Sequence, residues 1–174
     1  MLASAAFGLA PLCASAQTTA SPQDVSFARM AAQGGMAEVA DATLAQTSGT
    51  SPQVKSFAAK MLVDHGKANK QLTAIAKTEQ ISLPSDIGPV NTKMKGTLES
   101  LKGTTFDSAY LQQQRQSHVQ TAALFKKEIA NGKDAKLVAF AKTVLPTVMQ
   151  HLALDRQDLS AMGSKMAPGT GSKM

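Results

Sequence analysis

The feature that most constrains the fold is a recurrence of apolar residues at intervals of three and four along four long segments. This spacing places the apolar side chains on one face of a helix. Helix-favouring Ala, Gln, Lys, Leu and Met are abundant, and runs of β-branched residues alternating with polar ones are missing. The pattern therefore predicts an all-α fold and excludes a β-sandwich or β-barrel. The second segment shows the stripe well, with Val54, Phe57, Met61, Ala68, Leu72 and Ile75.

Helix start and stop signals divide this pattern into four long helices. Ser21 and Ser51 are each followed by proline, which suits the first helical position. Thr104 and Asp107 have the spacing of a capping box at the third start. Glycines at 49 and 132 follow the first and third helices. We predict helices over residues 21–47, 51–80, 104–131 and 134–162.

A long connection separates the second and third helices. Residues 81–103 begin with a segment rich in Pro, Ser and Gly and contain a predicted short helix over 90–101. Fully extended, these 23 residues would span about 75 Å, compared with about 45 Å for a 30-residue helix. The connection can therefore carry the chain back along the bundle. This favours a ferritin-like four-helix bundle of two antiparallel hairpins joined by a long crossover; an up-down bundle with a flexible loop is the alternative.

Both chain ends differ from the helical region. Residues 1–16 are uncharged, largely apolar and end in Ala14-Ser15-Ala16, the pattern of a secretory signal peptide. We therefore expect export to the periplasm or cell envelope, with residues 17–20 flexible. The polar, Gly- and Pro-containing residues 163–174 are expected to form a disordered tail. Cys13, the one cysteine, lies in the expected signal peptide, so disulfides and cysteine metal sites are excluded after cleavage.

Charge and hydropathy exclude several partners. The net charge of +6 comes from scattered lysines, without interleaved aromatic residues, a zinc-finger pattern or a glycine-rich phosphate loop. We therefore expect no nucleic-acid binding. No uninterrupted apolar run reaches about 18 residues, so we expect no integral membrane span. Other partners and the oligomeric state stay open.

Four ionisable residues occupy the apolar faces of the four predicted helices. His65, His118 and His151 each continue the apolar stripe of a different helix, and Glu38 lies on the inward face of the first. Glu38 lies 11 residues before Gly49 and His65 lies 16 residues after it, so their depths in the hairpin are similar. The same reasoning places His118 and His151 at similar depths. We predict that all four side chains meet near the middle of the bundle.

Three imidazoles and a carboxylate are suitable ligands for one ion of zinc, iron, manganese or copper. The alternative is a buried, hydrogen-bonded polar cluster in which Glu38 pairs with protonated histidines. Asp64 adjoins His65, and Asp155 follows His151 by one helical turn, so either carboxylate is placed to orient an imidazole as an outer partner. The two main hypotheses are thus an exported metal-binding bundle, with a role in metal handling or stress, and a non-catalytic structural or interaction protein.

Four segments of the chain resemble a bacterial family of exported proteins, domain of unknown function 4142. The most distinctive pieces are the pair Asp64-His65 and the pair Leu145-Pro146 followed by His151. The resemblance implies export and a ferritin-like fold, and it implies no established activity. In such proteins an acidic residue usually precedes the histidine of the third helix, whereas here Ser117 does. The similar segments are residues 27–45, 54–72, 106–118 and 137–152.

The pattern of ferritin-like di-iron enzymes is absent. Those enzymes use Glu-x-x-His motifs on paired helices, but here Leu62, Arg115 and Val148 stand three residues before the histidines. A mononuclear site therefore fits better than a di-iron one, and the sequence favours a binding or structural protein over an enzyme. An oxidase or peroxide-consuming activity is a third hypothesis, and it would need an open coordination position on the ion.

Overall fold

The computed structural model describes residues 20–166, which form α-helices and no β-strand. The predicted all-α class is therefore confirmed. The predicted signal peptide, residues 17–19 and residues 167–174 of the predicted tail lie outside the described residues. In chain order the helices are α1 (Pro22–Ser48), α2 (Pro52–Thr78), α3 (Gly88–Glu99), α4 (Gly103–Asn131) and α5 (Ala135–Met166).

The helices pack as a bundle. α1 packs on α2 and α4 packs on α5, and each pair is joined by a three-residue connection. The two pairs meet through contacts of α1 with α4 and of α2 with α5. The short α3 lies in the connection between the pairs and packs against α1 and α4. One side of the bundle is thus covered by an additional helix.

One helix start is determined by local sequence, and another is held by contacts between helices. Ser21 and Asp24 form the capping box of α1, since Ser21 Oγ accepts a hydrogen bond from the Asp24 N–H. The capping box predicted for Thr104 and Asp107 is wrong: α4 begins at Gly103, and Asp107 does not cap it. The Asp107 carboxylate instead accepts hydrogen bonds from the N–H groups of Thr50 and Ser51, at 3.0 and 2.8 Å. It thereby ties the start of α2 to α4.

Two apolar clusters fill the bundle, and a polar layer separates them along every long helix. The first cluster contains Phe27, Leu72, Phe125 and Phe140, and the second contains Phe57, Met61, Phe106 and Tyr110. In each long helix, the predicted ligand residue falls between the part that joins the first cluster and the part that joins the second. The histidines are therefore enclosed by apolar packing at both ends.

The last helix differs from its prediction. It continues to Met166, four residues beyond the expected end, so residues 163–166 are helical rather than part of a disordered tail. Its segment Ala135–Gly163 is long and apolar enough, by length and composition alone, to cross a membrane. A core helix of a soluble protein can meet the same criterion, and Leu137, Phe140 and Val148 on α5 are buried within the bundle.

Candidate metal centre

The four predicted ligand residues lie together in the middle of the bundle. Each long helix contributes one: Glu38 from α1, His65 from α2, His118 from α4 and His151 from α5. Their exposed fractions are 3%, 5%, 0% and 0%, respectively. One ring nitrogen from each histidine lies within 4.8 Å of the corresponding nitrogens of the other two. We call these four residues the histidine layer.

The distances in the histidine layer are close to those that a single ion requires. His65 Nε2 lies 3.2 Å from His151 Nδ1. Two ligand atoms bound tetrahedrally to zinc, with bonds of about 2.0–2.1 Å, would be about 3.3 Å apart. Glu38 on α1 lies between α2 and α4, with Oε2 2.9 Å from His65 Nδ1 and Oε1 3.8 Å from His118 Nε2. The three imidazoles therefore surround a common centre, and the Glu38 carboxylate contacts two of them.

Two further carboxylates hold the outer edges of the imidazoles. Asp155 Oδ2 lies 2.6 Å from His118 Nδ1, and Asp64 Oδ2 lies 2.8 Å from His151 Nε2. Each carboxylate favours a proton on the nitrogen that it contacts, which leaves the lone pair of the other nitrogen facing the centre. His118 then presents Nε2 to the centre, and His151 presents Nδ1.

Both outer carboxylates act between helices rather than on their sequence neighbours. Asp64 on α2 immediately precedes His65 but contacts His151 on α5. Asp155 on α5 contacts His118 on α4. The contacts agree with an orienting role for both aspartates, and the role itself stays a prediction. Lys60, which lies one turn before Asp64 on α2, also forms an ion pair with the Asp64 carboxylate at 2.9 Å.

Neighbouring charges and burial shift the pKa values of three groups in the layer. Burial alone would raise the pKa of Glu38, but the adjacent His65 outweighs burial and lowers that pKa below its usual value. Burial would lower the pKa of His65, and Glu38 reverses this effect and raises it. Burial lowers the pKa of His151 to about 4, although Asp64 opposes the change. Without an ion, Glu38 therefore favours the protonated form of His65, whose two ring nitrogens lie 2.9 Å from Glu38 Oε2 and 3.2 Å from His151 Nδ1.

Two buried atoms in the layer have no hydrogen-bond partner among the described residues. They are Glu38 Oε1 and His118 Nε2, which lie 3.8 Å apart. Leaving a buried polar atom unpaired costs about 1–3 kcal/mol. A cation between the carboxylate oxygen and the imidazole lone pair would interact favourably with both, so the donor set fits a metal ion.

Sequence reasoning missed the surroundings of the layer. The ring of Phe57 lies nearly perpendicular to those of His118 and His151, at centroid distances of 6.3 and 6.1 Å. Asp41, one turn after Glu38, is also buried, and burial raises the pKa of Asp41 to about 6, although a hydrogen bond from Gln113 opposes the rise. The spacing of Glu38 and Asp41 is a helical i, i+3 pair, and this was the signal available in the sequence.

The sequence profile of one family, described as domain of unknown function (DUF4142), matches residues 10–157. The chain belongs to the DUF4142 family. The match spans all four residues of the histidine layer and both outer aspartates. Among curated proteins, none matches this chain.

Two solved structures share the fold of this DUF4142 protein. A DUF305 fragment from Deinococcus radiodurans is 15% identical, with a TM-score of 0.72 over 82% of this chain and 98% of the fragment. CopM in its Cu(I)-bound form is 13% identical, with a TM-score of 0.67 over 79% of this chain and 96% of CopM. At such low identities the likeness concerns the fold alone.

Proposed function

We propose that this DUF4142 protein binds a single transition-metal ion through Glu38, His65, His118 and His151. The observation that carries the proposal is the convergence of three imidazoles and one carboxylate, one from each long helix, in a buried layer. The unpaired atoms Glu38 Oε1 and His118 Nε2 support it, because an ion would satisfy both. CopM, which shares the fold, is a protein with a Cu(I)-bound form and adds support.

We also infer a ferritin-like arrangement of the four long helices. The two hairpins, α1–α2 and α4–α5, are joined by a connection that contains α3, as the crossover topology requires. This topology brings one inward residue from each long helix to a common depth. The fold inference and the metal proposal therefore support each other.

The donor set narrows the choice of metal. Three imidazole nitrogens and one carboxylate oxygen suit Zn²⁺, Cu²⁺, Fe²⁺ and Mn²⁺, whereas Cu(I) prefers thiolate and thioether ligands. If the ion is Zn²⁺, four protein ligands in an enclosed layer would fill the coordination number usual for structural zinc sites and leave no open position for a substrate. The proposed role is therefore storage or buffering of a metal ion rather than catalysis. We further propose that the protein acts after export, in the periplasm or cell envelope, as its N-terminal sequence suggests.

Metal analysis of the full chain, purified without a metal-affinity column, tests the proposal. We expect about one equivalent of one transition metal per chain, and a loss of the metal in the variant His151→Ala. Gln114→Ala is the matched control, because Gln114 is also buried and lies one turn before His118 without contributing a ligand. Less than about a tenth of an equivalent in the wild type after incubation with Zn²⁺, Cu²⁺, Fe²⁺ or Mn²⁺, unchanged in His151→Ala, would contradict it.

A second candidate function is a structural or interaction protein with an ion-free polar layer. One observation favours it: with His65 protonated, its two ring nitrogens are both paired, with Glu38 at 2.9 Å and His151 at 3.2 Å. Buried polar groups of this kind can specify how helices pair. This candidate predicts that a chelator leaves the melting temperature unchanged, whereas the metal proposal predicts a decrease of several degrees.

A further inference from the structure

A cavity on one side of the bundle reaches the carboxylate of the histidine layer. It has a volume of about 190 Å³ and lies between α1, α3 and α4. Asn91 and Met94 of α3 form one wall, and Glu38 and Asp41 of α1 are among the residues that line it. We call it the α1–α3–α4 cavity. Through it, the crossover helix α3 forms part of the surroundings of the proposed metal ligands.

Two buried carboxylates give this cavity the chemistry of a cation site. Asp41 is only 4% exposed, and its Oδ2 accepts a hydrogen bond from Gln113 Nε2 at 2.7 Å. Asp41 Oδ1 and Glu38 Oε1 have no hydrogen-bond partner among the described residues. Because both unpaired oxygens belong to cavity-lining carboxylates one turn apart, a cation entering the cavity would meet Asp41 and Glu38 together.

Other approaches to the layer are less suitable for a hydrated ion. A second cavity that touches Glu38 and His65 has a volume of only about 20 Å³, and Phe125, Phe140 and Val148 are among its lining residues. A third cavity, of about 120 Å³, touches the outer carboxylate of Asp64. That carboxylate is already occupied by Lys60 and His151.

We propose that the α1–α3–α4 cavity is the path by which a hydrated divalent transition-metal cation reaches the histidine layer, with Asp41 as the first carboxylate that it meets. This inference rests on the proposed metal site. Asp41 attracts the ion and replaces some of its water, and the ion then passes to Glu38 and the three imidazoles. Gln113 holds the Asp41 carboxylate in place by its hydrogen bond. Asp41 is thus a positioning residue for uptake and not a ligand in the final complex.

Loading kinetics with Co²⁺ as the probe separate uptake from binding. The full-length, ion-free protein is mixed with Co²⁺, and the visible absorption of the bound ion is followed over time. In Asp41→Asn we expect association and dissociation rates to fall together, by about tenfold, with the equilibrium affinity unchanged within about threefold. Asp158→Asn is the control for loss of a carboxylate, because Asp158 lines a separate cavity together with Lys60 and Leu154. It should load at the wild-type rate.

A second variant tests the path by filling it. Gly34 lines the cavity, and a Cβ built at this position has no neighbouring atom within 4 Å, so Gly34→Leu extends into free space. Gly66→Leu is the matched control: Gly66 is also a partly exposed helical glycine with free space at its Cβ position, and it does not line the cavity. Gly34→Leu should load about tenfold more slowly than Gly66→Leu, with equal final occupancy.

The outcomes distinguish this inference from the proposed function. If the wild type binds no Co²⁺, the proposed metal site is wrong and the uptake path is wrong with it. If the wild type binds one Co²⁺ and both Asp41→Asn and Gly34→Leu load at their controls' rates, the uptake path alone is wrong. If Asp41→Asn instead lowers the equilibrium affinity more than tenfold, Asp41 is a ligand, and the assignment of Asp41 to uptake is overturned.

Discussion

Two groups of buried ionisable side chains in the bundle find their partners in different ways. In and around the histidine layer, acids contact bases from other helices: Glu38 contacts His65, and the outer carboxylate of Asp155 contacts His118. At the start of α1, Asp24, Glu128 and Asp134 form a second buried group, which we call the carboxyl cluster. Backbone N–H groups, rather than imidazoles, are its main partners.

The carboxyl cluster fastens chain segments to one another. Asp24 accepts hydrogen bonds from the backbone N–H groups of Ser21, Lys133 and Asp134, at 2.7, 2.8 and 3.2 Å. Burial alone would raise the pKa of Asp24, but the hydrogen bonds outweigh it and lower the pKa well below the usual range. Both oxygens of Asp24 are therefore paired without a ligand, and in this cluster Glu128 Oε1 has no partner among the described residues. The histidine layer differs because its two unpaired atoms, Glu38 Oε1 and His118 Nε2, come from different helices and face each other at 3.8 Å. The comparison teaches that burial of charge alone does not indicate a metal site.

The largest expected effect is a loss of folding stability when the carboxyl cluster is disrupted. Asp24→Ala removes the acceptor of three backbone N–H groups and should lower the free energy of unfolding by about 3 kcal/mol in urea denaturation. Asp86→Ala is the control, because the exposed Asp86 accepts from a single backbone N–H, that of Gly88, at 2.8 Å; it should cost less than about 1 kcal/mol. Equal losses in the two variants would contradict a fastening role for Asp24.

The second effect concerns ion binding by the histidine layer. At a free Zn²⁺ concentration a hundred times the dissociation constant, the ion should stabilise the fold by about 2.7 kcal/mol. Thermal denaturation with and without a chelator measures this effect, and His118→Gln should abolish it. Asp24→Ala should retain it, since Asp24 is not one of the four proposed ligand residues. A zinc-dependent shift of equal size in His118→Gln would show that the ion binds elsewhere.

The outer carboxylate of Asp155 should strengthen metal binding by the histidine layer. Asp155→Asn removes the charge that holds His118 Nδ1, at 2.6 Å, and should weaken metal binding by about 10- to 100-fold. Competition with a chelator of known affinity measures this change. Asp158→Asn on the same helix should alter the affinity by less than about threefold. A similar loss of metal affinity in both variants would contradict a specific role for the Asp155–His118 contact, because any nearby negative charge would then have the same effect.

The smallest expected effect is a pH dependence of the stability that Glu128 in the carboxyl cluster contributes. Burial and the neighbouring Asp24 raise the pKa of Glu128 from its usual 4.5 to about 7. The folded state therefore holds a proton that the unfolded chain releases, so this contribution to stability is present below pH 4.5 and is lost as the pH rises through 7. Glu128→Gln stays neutral and should be about 1 kcal/mol more stable than the wild type at pH 8.

Denaturation of Glu128→Gln at pH 4 should show no such gain, because the wild-type carboxyl is then protonated as well. A gain of the same size at pH 4 and pH 8 would contradict the protonation argument. Metal binding at a fixed pH should be equal in the wild type and in this variant.

Helical periodicity explains why so much of the site is predictable from sequence. Spacings of three and four place His65, His118 and His151 on inward faces, and the short hairpin connections set their depth. The convergence of these residues with Glu38 follows from those two features. The helix N-terminus at Ser21 is equally local, since its capping box involves residues three apart.

Contacts that depend on how helices rotate against one another are not predictable in this way. Asp107 has the spacing of a local cap, but it reaches the N–H groups of Thr50 and Ser51 because α4 packs beside the α1–α2 connection. Asp155 contacts His118 on α4 rather than a residue of its own helix for the same reason. The cavity beside Asp41 depends on the position of α3, which the linker sequence does not specify.

The most direct test of the metal site is X-ray absorption spectroscopy of the zinc-loaded protein. The account predicts a first shell of four nitrogen or oxygen atoms at about 2.0–2.2 Å, with outer-shell scattering from three imidazoles. The His151→Ala variant should lose one imidazole from that shell or fail to hold the ion. A wild-type shell of water and carboxylate oxygens without imidazole scattering, or an identical spectrum in His151→Ala, would contradict the account.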